Sequence, residues 1–199
     1  MGKIHLIRHG ITDAVKARVY YGSTDLPLNN EGVDRIVDLT LAGAYPSADG
    51  SKLYTTGLLR TEQTFFLIYG CREHQEMPEL REYDFGEFEM KTHEQLIENE
   101  DYQAWIGDKE GLTPCPKGES RKNFQTRVAA GFSKLLDEYR NEGNRAGKSI
   151  VICHGGVISQ IMNSCFPEGK GNLFQWVPEP GRGYTIHMEG TKPIAFDEI

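Results

Sequence analysis

Two stretches decide how this chain folds: Leu6-Ile7-Arg8-His9-Gly10-Ile11-Thr12 near its start and Val151-Ile152-Cys153-His154-Gly155-Gly156 near its end. Each is a short apolar run halted by a histidine and then by glycine, the pattern of a buried strand that stops abruptly. Residues 3–8 and Lys148–Cys153 are therefore predicted strands. The second leads into an apolar helix reaching Phe166. A third strand is expected at Lys52–Thr55, after an Asp49-Gly50 turn, and it runs into Thr55-Thr56-Gly57-Leu58-Leu59-Arg60. Asn29 or Asn30 caps a helix carrying Val33, Ile36, Val37, Thr40 and Leu41, and a second helix covers Leu58–Tyr69. Thr92 with Gln95 reads as a capping box. From Ser120, the residues Phe124, Val128, Phe132, Leu135 and Tyr139 form a helical core stripe. Residues 173–177 and 184–188 read as strands, and the tail from Pro193 pairs with the latter across Glu189-Gly190-Thr191. Residues 11–27 and Glu76–Glu89 read as irregular. Strands alternating with helices predict an α/β fold, a three-layer α/β/α sandwich with a mostly parallel central sheet, with residues 1–199 as a single domain.

A chain of 199 residues buries a sizeable core without disulfides or metal. Its net charge of −7 argues against nucleic acid and anionic membrane as partners, so an anionic ligand needs a local cluster of Arg and His. No segment approaches the roughly 18 apolar residues of a membrane span. The apolar run at the N-terminus is too short for a signal peptide, and Leu6 stands where a myristoylation signal needs Ser or Thr. Cys71, Cys115, Cys153 and Cys165 show no close pairing of the metal or redox kind, and a reduced, cytoplasmic setting follows.

In a parallel α/β sheet the carboxyl ends of the strands share one edge, where ligands bind. Arg8, His9, Arg60 and His154 all stand at or just beyond such ends. Two arginines and two histidines in one place describe an anion site, and phosphate is the best-matched anion.

These motifs resemble the histidine phosphatase superfamily, the phosphoglycerate mutase-like proteins. Arg8-His9-Gly10-Ile11-Thr12 matches the family's R-H-G-x-T signature, and Gly22, Asp25, Pro27, Leu28 and Gly32 follow in its spacing. Thr56–Thr64 looks like its second motif and Leu80–Glu89 like its acid loop. Gly118-Glu119-Ser120 and Val151–Gly156 complete the set, so the resemblance covers nearly the whole chain.

The resemblance implies that neutral His9 attacks phosphorus through one ring nitrogen while a hydrogen bond fixes the other. Arg8, Arg60 and a charged His154 would bind the non-bridging oxygens, joined by Gly155 of the same motif. Gly10 would let the backbone approach the phosphate and Thr12 would donate a hydroxyl. Glu82, in the family's L-x-E position, would protonate the leaving alkoxide and then serve as base for water; Glu87 and Glu89 are its competitors. Lys16, Arg18, Tyr20 and Tyr21 are candidates for touching the leaving group, with Arg182 a second possibility.

Two departures from the family pattern stand out. Val15 occupies the place of a phosphate-binding Asn, with Lys16 or Arg18 as compensating donors, and Glu89-Met90 replaces Glu-Gly. The expected activity is phosphomonoester hydrolysis of a small phosphorylated metabolite, with no cofactor and no metal. Ribazole phosphate, phosphoglycerates, phosphoserine and sugar phosphates stay open as substrates. A cofactor-dependent phosphoglycerate mutase and a non-catalytic phospholigand-binding module are the alternatives. The chain ends soon after its last predicted strand, which favours water over a shielded intermediate and hence the phosphatase. A metallophosphatase using His5, His9 and His154 lacks clustered Asp and Asn ligands. Tyr102–Trp105 is expected in packing, and His5 and His74 in structural or exposed places.

Overall fold

The computed structural model describes residues 2–141 and 147–199, the side chains of 139–141 excepted. Six strands, β1 (Gly2–Arg8), β2 (Ser51–Thr55), β3 (Gln75–Glu76), β4 (Lys148–Cys153), β5 (Gly183–Glu189) and β6 (Lys192–Glu198), form one sheet in the order β3-β2-β4-β1-β5-β6. From β3 to β1 every pairing is parallel, while β5 and β6 add an antiparallel hairpin beside β1. The mostly parallel sheet expected from sequence is the one present.

The helices are α1 (Asp13–Ala17), α2 (Asn30–Leu41), α3 (Leu59–Tyr69), α4 (His93–Leu96), α5 (Glu100–Gly107), α6 (Arg121–Asn141) and α7 (Gly155–Cys165). Side chains alternate across a strand, so the continuous apolar runs of β1 and β4 feed both faces of the sheet. Ile4, Leu6, Val151 and Cys153 join a core built with Phe124, Val128 and Leu135 of α6 and Val157, Ile158 and Ile161 of α7. Ile7, Ile150 and Ile152 point the other way, onto Phe65 of α3, with α2 packed against α3. These are the three layers.

Local signals act where they were expected. The Asn29 side chain accepts from Gly32 N–H at 2.8 Å, and Thr92 with Gln95 forms a complete capping box. Phe124, Val128 and Leu135 of the α6 stripe are buried; the side chain of Tyr139 lies outside the described residues. Gly190 turns the β5–β6 hairpin with φ of 58°. Pro193, which cannot donate to the ladder, sits opposite Met188 at a register shift.

Several segments differ from the sequence-based assignment. Residues 173–177 are not a strand: Leu173–Trp176 forms a 3-10 turn, because Asn172 Oδ1 accepts from Phe174 N–H at 3.0 Å and Gln175 N–H at 3.2 Å. In a strand Phe174 and Trp176 would share a face, yet Trp176 is fully buried and Phe174 is 81% exposed. The segment 11–27 contains α1, and Glu76–Glu89 contains the end of β3 and two 3-10 turns. Residues 100–107, unassigned from sequence, form α5 behind the Asn99 cap, and it buries Tyr102 and Trp105 as packing residues.

The loop after β1 and the segment Leu80–Glu89 touch directly. A Cβ on Gly22 would lie 1.7 Å from the Tyr83 carbonyl oxygen, so only glycine fits there. Next to this contact, Met90 N–H donates to Tyr20 O at 2.7 Å and Tyr20 N–H to Lys91 O at 2.9 Å. To make that bridge Met90 takes a left-handed backbone, φ of 61°, with the residue about half-exposed. Such a conformation costs a non-glycine residue about 1–2 kcal/mol, partly offset by glycine's greater unfolded-state entropy. Met90→Gly is therefore expected to stabilise the protein by about 0.5–1 kcal/mol. The shift in denaturant midpoint measures it, and a lower midpoint would place the net strain elsewhere.

Candidate active site

Because β1 and β4 pair in register up to Arg8 opposite Cys153, the residues that follow, His9 and His154, emerge side by side. His9 N–H continues the ladder to Cys153 O at 3.0 Å, and the two imidazole rings lie with centroids 5.2 Å apart. Thr56, just past the end of β2, closes the third side through a 2.9 Å hydrogen bond to His154 Nε2.

The protonation pattern can be read from the partners. His9 Nδ1 lies 2.7 Å from the Gly10 carbonyl oxygen. A carbonyl only accepts, so Nδ1 carries the proton and Nε2 presents a lone pair. Burial, with the charges of Arg60 and Arg8 behind it, pushes the His9 pKa well below its ordinary value and keeps the ring neutral. The Tyr21 hydroxyl is 3.4 Å from Nε2, and burial raises the phenol's pKa, so it remains a neutral donor.

The partners of His154 set the opposite tautomer. Arg60 Nε–H donates to its Nδ1 at 3.4 Å, which makes Nδ1 an acceptor and leaves the ring proton on Nε2 toward Thr56. Burial and the neighbouring Arg60, His9 and Arg8 push its pKa well down. Its surroundings keep the ring neutral, and the charged form expected with a bound phosphate needs the negative charge that the phosphate would add.

Arg60 is fully buried. Its Nη2 donates to Gly22 O at 2.7 Å and its Nη1 to Thr24 O at 3.0 Å, and its guanidinium carbon lies 5.0 Å from the centre of the Tyr21 ring. Arg8 Nη1 donates to Pro178 O at 2.8 Å, while its Nε is buried without a hydrogen-bond partner among the described residues. Gly155 makes room for that guanidinium, since a Cβ there would lie 3.2 Å from Arg8 Nε and 3.0 Å from Val177 Cγ1. The Thr12 hydroxyl is buried without a well-formed hydrogen bond and neighbours the Tyr21 phenol. Gly10 is also packed tightly against α2: a Cβ would lie 3.1 Å from Ile36 Cγ1 and 3.2 Å from Leu28 Cδ1.

Glu82 reaches the same place from the acid loop. Its carboxylate accepts from Tyr83 N–H at 3.0 Å and from Gly156 N–H at 2.9 Å, at the first turn of α7. Glu87, by contrast, is exposed and pairs with Lys117 at 2.7 Å. Among the candidates for the missing Asn, Lys16 is tied to Glu31 at 2.5 Å on the surface, and Arg18 lies at the pocket rim with Val15 and Tyr21. Arg182 is not in this site: its side chain borders an acidic cleft with Asp34 and Asp38 of α2. His5 is held by Thr185 at 2.8 Å, with its pKa lowered to about 4 by burial, a structural place. Among the described residues no three His, Cys, Asp or Glu side chains gather as around a metal ion.

Comparison with known proteins matches residues 4–194 to the family described as the histidine phosphatase superfamily (branch 1). This chain belongs to the histidine phosphatase superfamily. It is 28% identical over 183 residues to an adenosylcobalamin/alpha-ribazole phosphatase of Salmonella typhimurium, covering 90% of this chain and 87% of that one. The alpha-ribazole phosphatase from Shigella flexneri superposes with a TM-score of 0.81 at 26% identity, covering 96% and 92% of the two chains. A phosphoglycerate mutase from Thermus thermophilus follows with a TM-score of 0.69 at 29% identity, covering 98% and 97%. The enzyme class expected from sequence, a phosphatase of this superfamily, is the one these similarities support.

This histidine phosphatase holds its site with residues that sequence reading did not single out. Arg127 of α6 donates to the carbonyls of Glu79, Arg81 and Glu82 and pairs with Glu119, fixing the strip that carries Glu82. Nothing in the α6 sequence distinguishes it from a solvated arginine. Glu89, weighed only as a rival acid, is instead a clamp. Its carboxylate accepts from the N–H groups of Gly22, Ser23, Thr24 and Phe85 and from the Thr24 hydroxyl, at 2.6–3.2 Å. The same strip, Gly22–Thr24, offers its carbonyls to Arg60. Glu89 thus grips one edge of the peptide strip whose other edge orients Arg60.

Glu89→Gln turns one acceptor oxygen into a donor that faces backbone N–H groups, at a cost of about 1–3 kcal/mol for the unsatisfied groups. It is expected to lower stability by that amount and to weaken competitive inhibition by inorganic phosphate severalfold, through Arg60. Denaturation and inhibition measurements check the two effects together. Lost stability with unchanged phosphate inhibition would mean that the clamp does not reach Arg60.

Proposed function

We propose that this histidine phosphatase is a cytoplasmic phosphomonoesterase, a single catalytic domain that hydrolyses a small phosphorylated metabolite through a phosphohistidine on His9. The observation that carries the reading is the fixed tautomer of His9: Nδ1–H on the Gly10 carbonyl, and a neutral Nε2 among Arg8, Arg60 and Tyr21. A substrate phosphate enters as the anionic partner of the two guanidinium groups. His9 Nε2 forms a bond to phosphorus as the phosphorus–oxygen bond to the alcohol breaks, and charge on the non-bridging oxygens is met by Arg8 and Arg60. The Gly10 carbonyl stabilises the Nδ1–H side of the phosphorylated ring. Glu82 gives its proton to the departing alkoxide. As a carboxylate it then takes a proton from water, whose oxygen attacks phosphorus and returns His9 to its neutral state.

The phosphatase reading is better supported than the mutase one, because adenosylcobalamin/alpha-ribazole phosphatases match the chain in sequence and the Shigella enzyme superposes on it more closely than the Thermus mutase does. No described helix is long and apolar enough to cross a membrane, and the net charge of −7 argues against nucleic acid as a partner.

The direct test is the intermediate. His9→Ala is expected to abolish phosphate release, and wild-type protein quenched at alkaline pH should carry an acid-labile phosphate on His9. The rate should hold well below pH 6.5, the ordinary value for histidine, because His9 becomes protonated only at its depressed pKa. Undiminished turnover by His9→Ala, or loss of rate already near pH 6.5, contradicts the nucleophile.

The role of Glu82 has a separate test. General acid catalysis matters most for a poor leaving group, so Glu82→Gln should slow release of an alkyl alcohol by about 10²–10⁴-fold. Single-turnover phosphorylation by a nitrophenyl phosphate, whose phenolate leaves unaided, should slow far less. Equal losses on both substrates would mean that the carboxyl shapes the pocket and that another group is the acid.

A further inference from the structure

Helix α3 buries two threonines on one face, Thr61 and Thr64. Each hydroxyl donates back to its own chain, Thr64 to Arg60 O and Thr61 to Leu58 O, both at 2.7 Å. A hydroxyl whose proton is spent on a carbonyl can still accept. Thr64 does so from Gly10 N–H at 3.0 Å, next to His9. The direction of that bond is fixed, because a backbone N–H only donates.

Thr61 stands in the same relation to the other histidine. Its oxygen lies 3.2 Å from Thr56 Oγ1, and Thr56 Oγ1 lies 2.9 Å from His154 Nε2. All three residues are fully buried. One order of protons satisfies the whole chain. The Leu58 carbonyl only accepts, so Thr61 donates to it, Thr61 accepts from Thr56, and Thr56 accepts from His154 Nε2–H. In the reverse order Thr56 would donate to Nε2 and the Thr61 oxygen would lose its donor. The ring proton would then move to Nδ1, against the Arg60 Nε–H group 3.4 Å away. That Arg60 contact is long for a hydrogen bond, so the threonines are the closer constraint on the ring.

Nδ1 is thereby the ring atom left to take a proton, and it faces the guanidinium of Arg60. Burial, with Arg60, His9, Arg8 and Arg127 around it, opposes a second proton on the empty ring. Burial also keeps the Tyr21 phenol and the Cys153 thiol neutral. The Glu82 carboxylate is taken up by the N–H groups of Tyr83 and Gly156. A phosphate held by the arginines would bring both the missing negative charge and an acceptor for an Nδ1–H donor.

Resting on the phosphatase reading, we propose that Thr61 is a positioning residue of the phosphate site: through Thr56 it holds the His154 proton on Nε2 and leaves Nδ1 to take up one proton from solvent when a phosphate binds. Phosphate and proton enter together. The resulting imidazolium gives one N–H to Thr56 and the other to a non-bridging oxygen.

The experiment uses inorganic phosphate and protein isotope-labelled at the histidine ring nitrogens, read by nuclear magnetic resonance, with His154 assigned by the loss of its signals in His154→Gln. The free wild-type ring should show the Nε2–H tautomer, and with phosphate both nitrogens should carry protons. Thr61→Val keeps the shape of the side chain but removes the acceptor of the Thr56 hydroxyl, which then turns to Nε2. Its free ring should show a large share of the Nδ1–H tautomer. Phosphate should bind it about tenfold more weakly, because a doubly protonated ring would leave the Thr56 hydroxyl buried without an acceptor. Thr61→Ser, which restores the hydroxyl, should match wild type in both readouts. An Nδ1–H tautomer in free wild type, or a ring left singly protonated by bound phosphate, overturns the proposal. So does Thr61→Val protein that keeps the wild-type tautomer or the wild-type phosphate affinity. Failure of wild type to bind phosphate at all would contradict the phosphatase reading and the proton uptake together, whereas an unchanged tautomer in Thr61→Val contradicts the threonine relay alone.

Discussion

The site depends on one buried cation. Arg60 is fully enclosed, and among the described residues no carboxylate lies within ion-pair distance of it. Burying an unpaired charge is costly, and a protein tolerates it only with hydrogen bonds and a purpose. Here the carbonyls of Gly22 and Thr24 satisfy two guanidinium nitrogens, and the Tyr21 ring lies against its face. Desolvation lowers the arginine's pKa, with the carboxylates of Glu82, Asp25 and Glu89 acting in the opposite direction from a distance. In the proposed mechanism a phosphate supplies that countercharge, so that binding strength and catalytic charge stabilisation would come from the same group.

The surrounding structure follows from holding that cation still. Glu89 fixes the peptide strip that feeds it carbonyls, and glycine at position 22 lets that strip touch Tyr83. Arg127 and Glu119 fix the acid loop from the opposite side, so that Glu82 arrives at Gly156 N–H. Burial, with the two arginines behind it, keeps His9 and His154 neutral, leaving a lone pair on His9 Nε2, as the proposed nucleophile needs, and making His154 a neutral donor toward Thr56. Pre-organisation of this kind is carried by backbone contacts between loops far apart in sequence.

That distribution explains what could be read beforehand. The strands, the three layers and the meeting of Arg8, His9, Arg60 and His154 follow from apolar runs ended by histidine or glycine, since strand register alone brings those ends together. The helix at Arg121–Asn141 and the capping box at Thr92 were legible because local chemistry decides them. Leu173–Trp176 was not, since Asn172 capped a turn inside a run as apolar as a strand. Arg127 and the clamp made by Glu89 were not either: each acts on backbone groups of distant loops, which leave no mark on neighbouring residues. Arg182 was a secondary candidate for the leaving group, but its backbone carbonyl, which accepts from Arg8 N–H at 2.9 Å, is what adjoins the site, while its side chain faces α2.

The most direct test of the account is the stabilisation of the folded protein by inorganic phosphate, followed as thermal unfolding in wild type and in Arg60→Met. A ligand bound only by the folded state at a hundred times its dissociation constant stabilises by about 2.7 kcal/mol. The account predicts a phosphate-dependent rise in Tm for wild type and its near disappearance in folded Arg60→Met. An equal rise in both proteins would contradict it, by showing that the phosphate's countercharge does not come from Arg60.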